Sequence, residues 1–189
     1  MSQLFFKRKS VFIAGTALLA AAVVVLDASR LKIPYPPLPF LKIDALGVPM
    51  LLSYFSFGFL SGTITSIISW LSISTHDPLF PFSGLMKFLA EFSTIIGVYL
   101  VLRTRRPTSY LWKSVSMISG VSVRVIVMAI ANILLLPVFM STFYKSYAAV
   151  IAFIPLISLF NAVQGTVSIA GGFLVYEAVV LRFSSLRTE

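Results

Sequence analysis

Residues Phe160 to Tyr176 read FNAVQGTVSIAGGFLVY, where two amide side chains interrupt an apolar run long enough to cross a bilayer. Asn161, Gln164 and Ser168 fall at i, i+3 and i+7, so a helix carries all three on one face. An unpaired amide in hydrocarbon costs on the order of several kcal/mol, so that face looks into the protein or onto a ligand rather than onto lipid. Two readings follow. The amides join neighbouring helices, or they line a site.

Composition places the chain in a membrane. Hydrophobic residues make up 58% of 189 positions and charged residues 11%, and the mean hydropathy is +0.98, far too apolar for a surface that faces water. The net charge of +9 comes from 15 Lys and Arg against 6 acids. These basic residues gather at the ends of apolar runs, which is a topology signal and not a nucleic-acid surface. There are no cysteines, and the one histidine, His76, has no cluster of carboxylates in sequence with which to hold zinc.

Lys7, Arg8 and Lys9 precede VFIAGTALLAAAVVVL, a pattern shared with signal peptides. The apolar run continues past Ala20 to Ala22, which favours a retained first helix. Along it Ala14, Ala17 and Ala21 form a smooth stripe that suits close approach of another helix, in this chain or in a separate subunit. The stretch SRLKIPYPPLPFLKID, Ser29 to Asp44, follows. Pro34, Pro36, Pro37 and Pro39 forbid a continuous helix and impose extended backbone. Tyr35, Leu38, Phe40 and Leu41 are unusual in a water-surrounded loop, and the segment is expected to fold back as a lid over a cavity.

Ala45 to Ile73 would measure about 44 Å as one helix, too long for one crossing of a ~30 Å core and short for two. The basic linker RTRRPTSYLWK, Arg103 to Lys113, decides between them. It falls on the same side as the N-terminus if residues 45–73 form a hairpin that turns near Gly58 to Gly62. The expectation is therefore an all-α integral membrane protein, a compact bundle of six transmembrane helices with both termini cytoplasmic and the proline-rich lid outside. Residues 1–189 form a single membrane domain, with helices over about 10–28, 45–58, 60–74, 84–102, 110–139 and 150–182.

Within these helices, Glu91 is a functional candidate by its depth, with Lys87 at i−4 as a local partner. Arg124, Met128 and Asn132 trace one face of the fifth helix. Arg124 needs a partner, and an acid, a carbonyl or the cytoplasmic interface would each serve. Pro137 and FMSTFYKSY mark an outer turn, and Pro155 starts or kinks the last helix. Counted from Phe139 and from Pro155, Asn132 and Asn161 lie at one depth. The picture is an outward pocket of aromatic and aliphatic side chains with a few amides, suited to a flat apolar molecule with a polar edge.

Three passages carry a resemblance that covers nearly the whole chain: PLPFLKID followed by Val48-Pro49, RVIVMAIANILLLPVF from Arg124 to Phe139, and IPLISLFNAVQG from Ile154 to Gly165 followed by GFLVYEA. Their order and spacing resemble the substrate-binding S component of energy-coupling-factor vitamin transporters, most closely the riboflavin-specific type. The resemblance implies that the chain captures riboflavin from outside as its transported ligand, with no cofactor. Its partners would be a transmembrane coupling subunit and two ATP-binding subunits. The implied substrate-binding residues are Asn132, Asn161, Gln164, Leu41, Phe40 and Met128. Ala14, Ala17 and Ala21 would be the docking stripe for the coupling subunit, Ala17 and Ala21 matching its A-x-x-x-A motif.

Two positions depart from that family's pattern. Gln164 stands where the riboflavin type has Lys, and DALGVP replaces D-x-S-D-x-P, so another heterocyclic vitamin or base is the alternative ligand. No G-x-x-x-x-G-K-[ST] phosphate loop is present, which puts ATP hydrolysis in other chains. An intramembrane enzyme would need a placed nucleophile and base, and neither a G-x-S-x-G motif nor clustered acids occurs. A small membrane protein whose amides merely pack helices would bind no ligand.

Overall fold

The computed structural model describes residues 9–76, 82–103, 110–139 and 147–185. Lys7 and Arg8, the middle of the loop after His76 (77–81), the core of the basic linker (104–109), the turn 140–146 and Arg187 lie outside them. Six helices are present among the described residues: α1 (Lys9–Ala28), α2 (Gly47–Phe57), α3 (Phe59–Ser74), α4 (Phe82–Leu102), α5 (Tyr110–Phe139) and α6 (Tyr147–Ser185). Four of them, α1, α4, α5 and α6, are long and apolar enough to cross a membrane, while α2 and α3 are shorter apolar helices.

The long apolar run does break into a hairpin, and it breaks at one residue. Gly58 adopts φ 91°, ψ −175°, a conformation open essentially to glycine alone. The returning helix is held by side chains on both arms: Ser53 Oγ lies 2.5 Å from Ser61 Oγ, and Ser66 Oγ donates to Met50 Sδ at 3.8 Å. The same Ser61 hydroxyl meets Thr16 Oγ1 of α1 at 2.7 Å, and Ser72 Oγ of α3 donates to Asp27 of α1 at 2.8 Å. Those two contacts set α1 and α3 parallel. In hydrocarbon such hydroxyl pairs supply the contact that a hydrophobic driving force cannot.

The remaining helices alternate in direction. α4 returns beside α3, with the Trp70 and Phe88 rings 5.9 Å apart at one end and Phe59 and Tyr99 4.9 Å apart at the other. α4 and α5 approach backbone to backbone, because a Cβ on Gly97 would stand 2.6 Å from the Ser119 carbonyl oxygen and 2.7 Å from Gly120 Cα. α6 descends along α5 and also lies parallel to α2, where Phe55 stacks on Phe173 at 4.3 Å. α1 therefore starts, and α6 ends, at the same end of the bundle. That end is filled by Leu51, Phe55, Ile95, Val98, Ile169 and Phe173.

The proline-rich connector is extended, as its prolines require, but it is also paired. β1 (Lys32–Tyr35) and β2 (Leu38–Asp44) form an antiparallel hairpin in which Pro34 faces Lys42 and the register shifts between Pro34 and Tyr35. Proline is tolerated because both strands are edges. Tyr35 and Leu38 are buried against Phe160, Leu136 and Ile157, so the turn is pinned to α5 and α6 by apolar contact. Pro155 does not start the last helix; α6 begins at Tyr147 and carries Pro155 within it.

Replacing Gly58 by Val forces a branched side chain into this backbone conformation. We expect a loss of about 1–3 kcal/mol in folding free energy, read as a lower unfolding midpoint in detergent; an unchanged midpoint would show that the turn relaxes freely.

Candidate functional site

At the hairpin end the helices separate around a cavity of about 390 Å³. Its wall combines Phe40, Met86, Ala90, Met128 and Phe160 with the polar groups Asp44, Lys87, Arg124, Asn161 and Gln164, and Lys32, Lys42, Ile73, His76 and Ser83 complete it. The size is that of a small-molecule site, and mixed apolar and polar walls are usual for one.

Along the wall runs a chain of alternating charge, with Glu91 behind it. Asp44, at the end of β2, lies 2.7 Å from Lys87 Nζ on α4. Lys87 Nζ is also 3.0 Å from Glu91 Oε1, one turn further along α4, and that same oxygen is 3.0 Å from Arg124 Nη1 on α5. The Glu91 contacts are ion-pair contacts rather than aligned hydrogen bonds. Glu91 is 0% and Arg124 1% exposed, so each depends on the others for its charge. Glu91 thus pairs both with its own-helix neighbour and with Arg124, whose partner the sequence left open.

Amides complete the chain. Arg124 Nε donates to Asn161 Oδ1 at 3.2 Å and Nη1 to Thr94 Oγ1 at 3.3 Å, while Asn161 Nδ2 donates to the Ile157 carbonyl at 2.9 Å. Gln164 grips the backbone of Asp44 from both sides: Oε1 accepts its N–H at 3.2 Å and Nε2 donates to its carbonyl at 2.8 Å. The hairpin is therefore tied to α6 by a neutral clamp and to α4 by an ion pair. Gly47 makes the room for this region, since a Cβ there would stand 2.6 Å from Glu91 Oε2 and collide with Ser168 Oγ.

A second tie fixes the other foot of the hairpin. Asp27, at the end of α1 and 1% exposed, lies 3.0 Å from Lys32 Nζ and 3.6 Å from His76 Nε2 and accepts from Ser72. No group of His, Asp and Glu able to hold a metal occurs among the described residues.

Of the residues singled out in the sequence, Phe40, Met128, Asn161 and Gln164 come together on the cavity wall. Leu41 packs behind, in the apolar cluster with Tyr35 and Leu38. Asn132 is not among the lining residues; its Nδ2 donates to the Met128 carbonyl at 2.6 Å. The count from Pro155 does not hold, because α6 starts at Tyr147. Asn161 lies about 21 Å along its helix and Asn132 about 10 Å from the end of its own, and it is Arg124 that meets Asn161. The pairings of Lys87 with Asp44 and of Lys32 with Asp27 are not legible in the sequence because the partners lie on different elements. Ala14, Ala17 and Ala21 all face outward on α1 beside Leu18, which is 71% exposed.

Residues 11–180 match the family model described as ECF transporter, substrate-specific component. The chain belongs to that family. It is a multi-pass membrane protein of a family of transport components, not of enzymes. The chain is 32% identical over 114 residues to the riboflavin transporter RibU of Staphylococcus aureus (strain TCH60), a match over 59% of this chain. It spans 55% of that relative's length. Among solved structures it is similar to the S component of a bacterial ECF transporter, with TM-score 0.73 and 26% identity over 93% of this chain and 99% of that one.

For this S component the charge chain yields a direct test. Glu91→Leu leaves Arg124 buried without its acid and should cost about 3–5 kcal/mol, whereas pairing it with Arg124→Met removes both charges and should recover most of the loss. Unfolding midpoints of the two variants decide it; equal destabilisation would mean that the pair is not the reason for the loss.

Proposed function

We propose that this chain is the high-affinity substrate-capture subunit of an ECF vitamin importer and that its ligand is riboflavin. The observation that carries this reading is the cavity. It has the volume for a drug-sized ligand, apolar faces at Phe40, Met128 and Phe160 for a flat ring, and amide and cationic groups on one wall for a polar edge. The likeness to a riboflavin transporter supplies the ligand class. In this reading Phe40, Met128, Asn161 and Gln164 form the ligand's surroundings, and Leu41 and Asn132 stand in the layer behind them.

All six helices then cross the membrane, α2 and α3 as a short hairpin, and the hairpin β1–β2 lies outside as the lid. Both termini are cytoplasmic, in line with Lys9 at the end of the bundle opposite the cavity. A transmembrane coupling subunit and two ATP-binding subunits supply the energy, and the outward stripe of Ala14, Ala17 and Ala21 is where the coupling subunit docks. Gln164, where the riboflavin type has Lys, supports another heterocyclic vitamin or base as the second reading.

Titration of the purified protein with riboflavin tests the ligand. Flavin fluorescence should quench on binding, and Asn161→Leu should weaken affinity by about 1–3 kcal/mol while the protein stays folded. Absence of quenching by the unaltered protein would remove riboflavin, and an unchanged affinity of the variant would remove this wall as the site.

Ala17→Trp tests the docking face. A bulky ring on the stripe should leave riboflavin binding by the isolated subunit intact and abolish capture of the coupling subunit in a pull-down. Survival of that complex would place the docking face elsewhere.

A further inference from the structure

The deep wall of the cavity carries unspent hydrogen-bond donors. A guanidinium carries five N–H groups. Arg124 directs Nε to Asn161 and Nη1 to Thr94 and Glu91, and Nη2, with two N–H groups, has no partner among the described residues. Lys87 donates one of its three N–H groups to Asp44 and stands in ion-pair contact with Glu91. Asn161 uses one amide N–H on the Ile157 carbonyl. Of the acceptors nearby, Asn161 Oδ1 already takes a hydrogen bond from Arg124, Gln164 Oε1 one from the Asp44 N–H, and Asp44 Oδ1 those of Lys87 and the Leu46 N–H. Glu91 lies behind the wall and is not one of its lining residues.

Charge on the same wall is balanced. Lys87 and Arg124 are neutralised by Asp44 and Glu91, and Lys32 at the mouth by Asp27. The deep wall therefore offers hydrogen-bond donors without an unbalanced positive charge. Depth separates the two parts of a ligand. Arg124 is buried beside Met128, Ala90 and Phe160, where a flat ring fits, while Lys42 and Phe40 at the hairpin are exposed, where a hydrated chain would lie.

We infer that Arg124 is a ligand-contacting, specificity-determining residue whose Nη2 donates to acceptor atoms on the ring edge of a neutral planar heterocycle, with Lys87 adding a second donor. This rests on the flavin reading of the cavity and names what selects the ring. The chain Asp44–Lys87–Glu91–Arg124 acts as the fixture that holds both donors in place, and the hydrogen bonds of the Gln164 amide go to the lid. Because the fixture is assembled from the fold, no rearrangement of the donors is needed when the ring arrives.

The test uses two ligands and two variants. Riboflavin and lumiflavin share the ring, and lumiflavin lacks the sugar-alcohol chain. Arg124→Lys keeps a cation beside Glu91 but loses the planar fork, and Arg124→Gln combined with Glu91→Gln removes the guanidinium without orphaning a charge. Both variants should bind both ligands about 10- to 100-fold more weakly than the unaltered protein, with ligand-free unfolding midpoints close to its own. Affinities unchanged in a folded variant overturn the assignment of Arg124. A loss confined to riboflavin overturns it too, because Arg124 would then be reading the chain and not the ring. If the unaltered protein binds neither ligand, the flavin reading fails, and this inference with it.

Discussion

Four charged groups inside an apolar bundle have to neutralise one another, and the arrangement of the cavity end follows from that requirement. An ion taken out of water costs several kcal/mol or more, and its partners return that only when they are close and well placed. Asp44, Lys87, Glu91 and Arg124 meet it by alternating in sign along one chain. Three parts of the molecule are joined: Asp44 belongs to the hairpin, Lys87 and Glu91 to α4, and Arg124 to α5. A shift of any one of them would strand its neighbours. The chain thus specifies position more than it adds net stability.

The two ends of the bundle differ accordingly. At the end where α1 begins and α6 finishes, aromatic and aliphatic side chains from α2, α4 and α6 fill the interior, with Phe55 stacked on Phe173 and α4 brought against α5 at Gly97 and Gly120. Contact of that kind leaves no space, and it lets helices with few polar residues hold together where water is absent. At the other end the ionic chain props α4, α5 and the hairpin apart, because charged groups need their partners at fixed distances and cannot be packed as alkyl groups are. The cavity is what remains between them.

Much of this was legible in the sequence because it depends on local order. The turn of the long apolar run could be expected near Gly58 from helix length and basic-loop parity, and the strain at φ 91° explains why a glycine is there. The common face of Asn161, Gln164 and Ser168 follows from helical spacing alone, and all three are buried. The hairpin was not legible as a hairpin. Its prolines announce extended backbone, but pairing Pro34 with Lys42 depends on the turn at Pro36 and Pro37 and on the apolar shelf of α5 and α6 that receives Tyr35 and Leu38. The start of α6 is hidden for a related reason: Pro155 suggests a helix start, whereas eight further residues of helix precede it. The ionic chain joins residues 33 and 43 positions apart, and no periodicity encodes such pairs.

Gln164 shows how one side chain alters the electrostatics of such a site without altering the fold. Its amide offers an acceptor and a donor on one rigid group, and both are spent on the same residue, the N–H and carbonyl of Asp44. A lysine at this position, as in the riboflavin-type pattern, could not accept from that N–H, and it would bring a third cation to a wall that already holds Lys87 and Arg124. With Gln164 the strap on the hairpin is neutral, which leaves Lys87 as the cation paired with Asp44 and the carboxylate of Glu91 to share between Lys87 and Arg124. Charge is then closed within the protein. What the wall can still offer a ligand is shape and unspent N–H groups, so selection there depends on where the ligand's acceptor atoms lie and not on its charge.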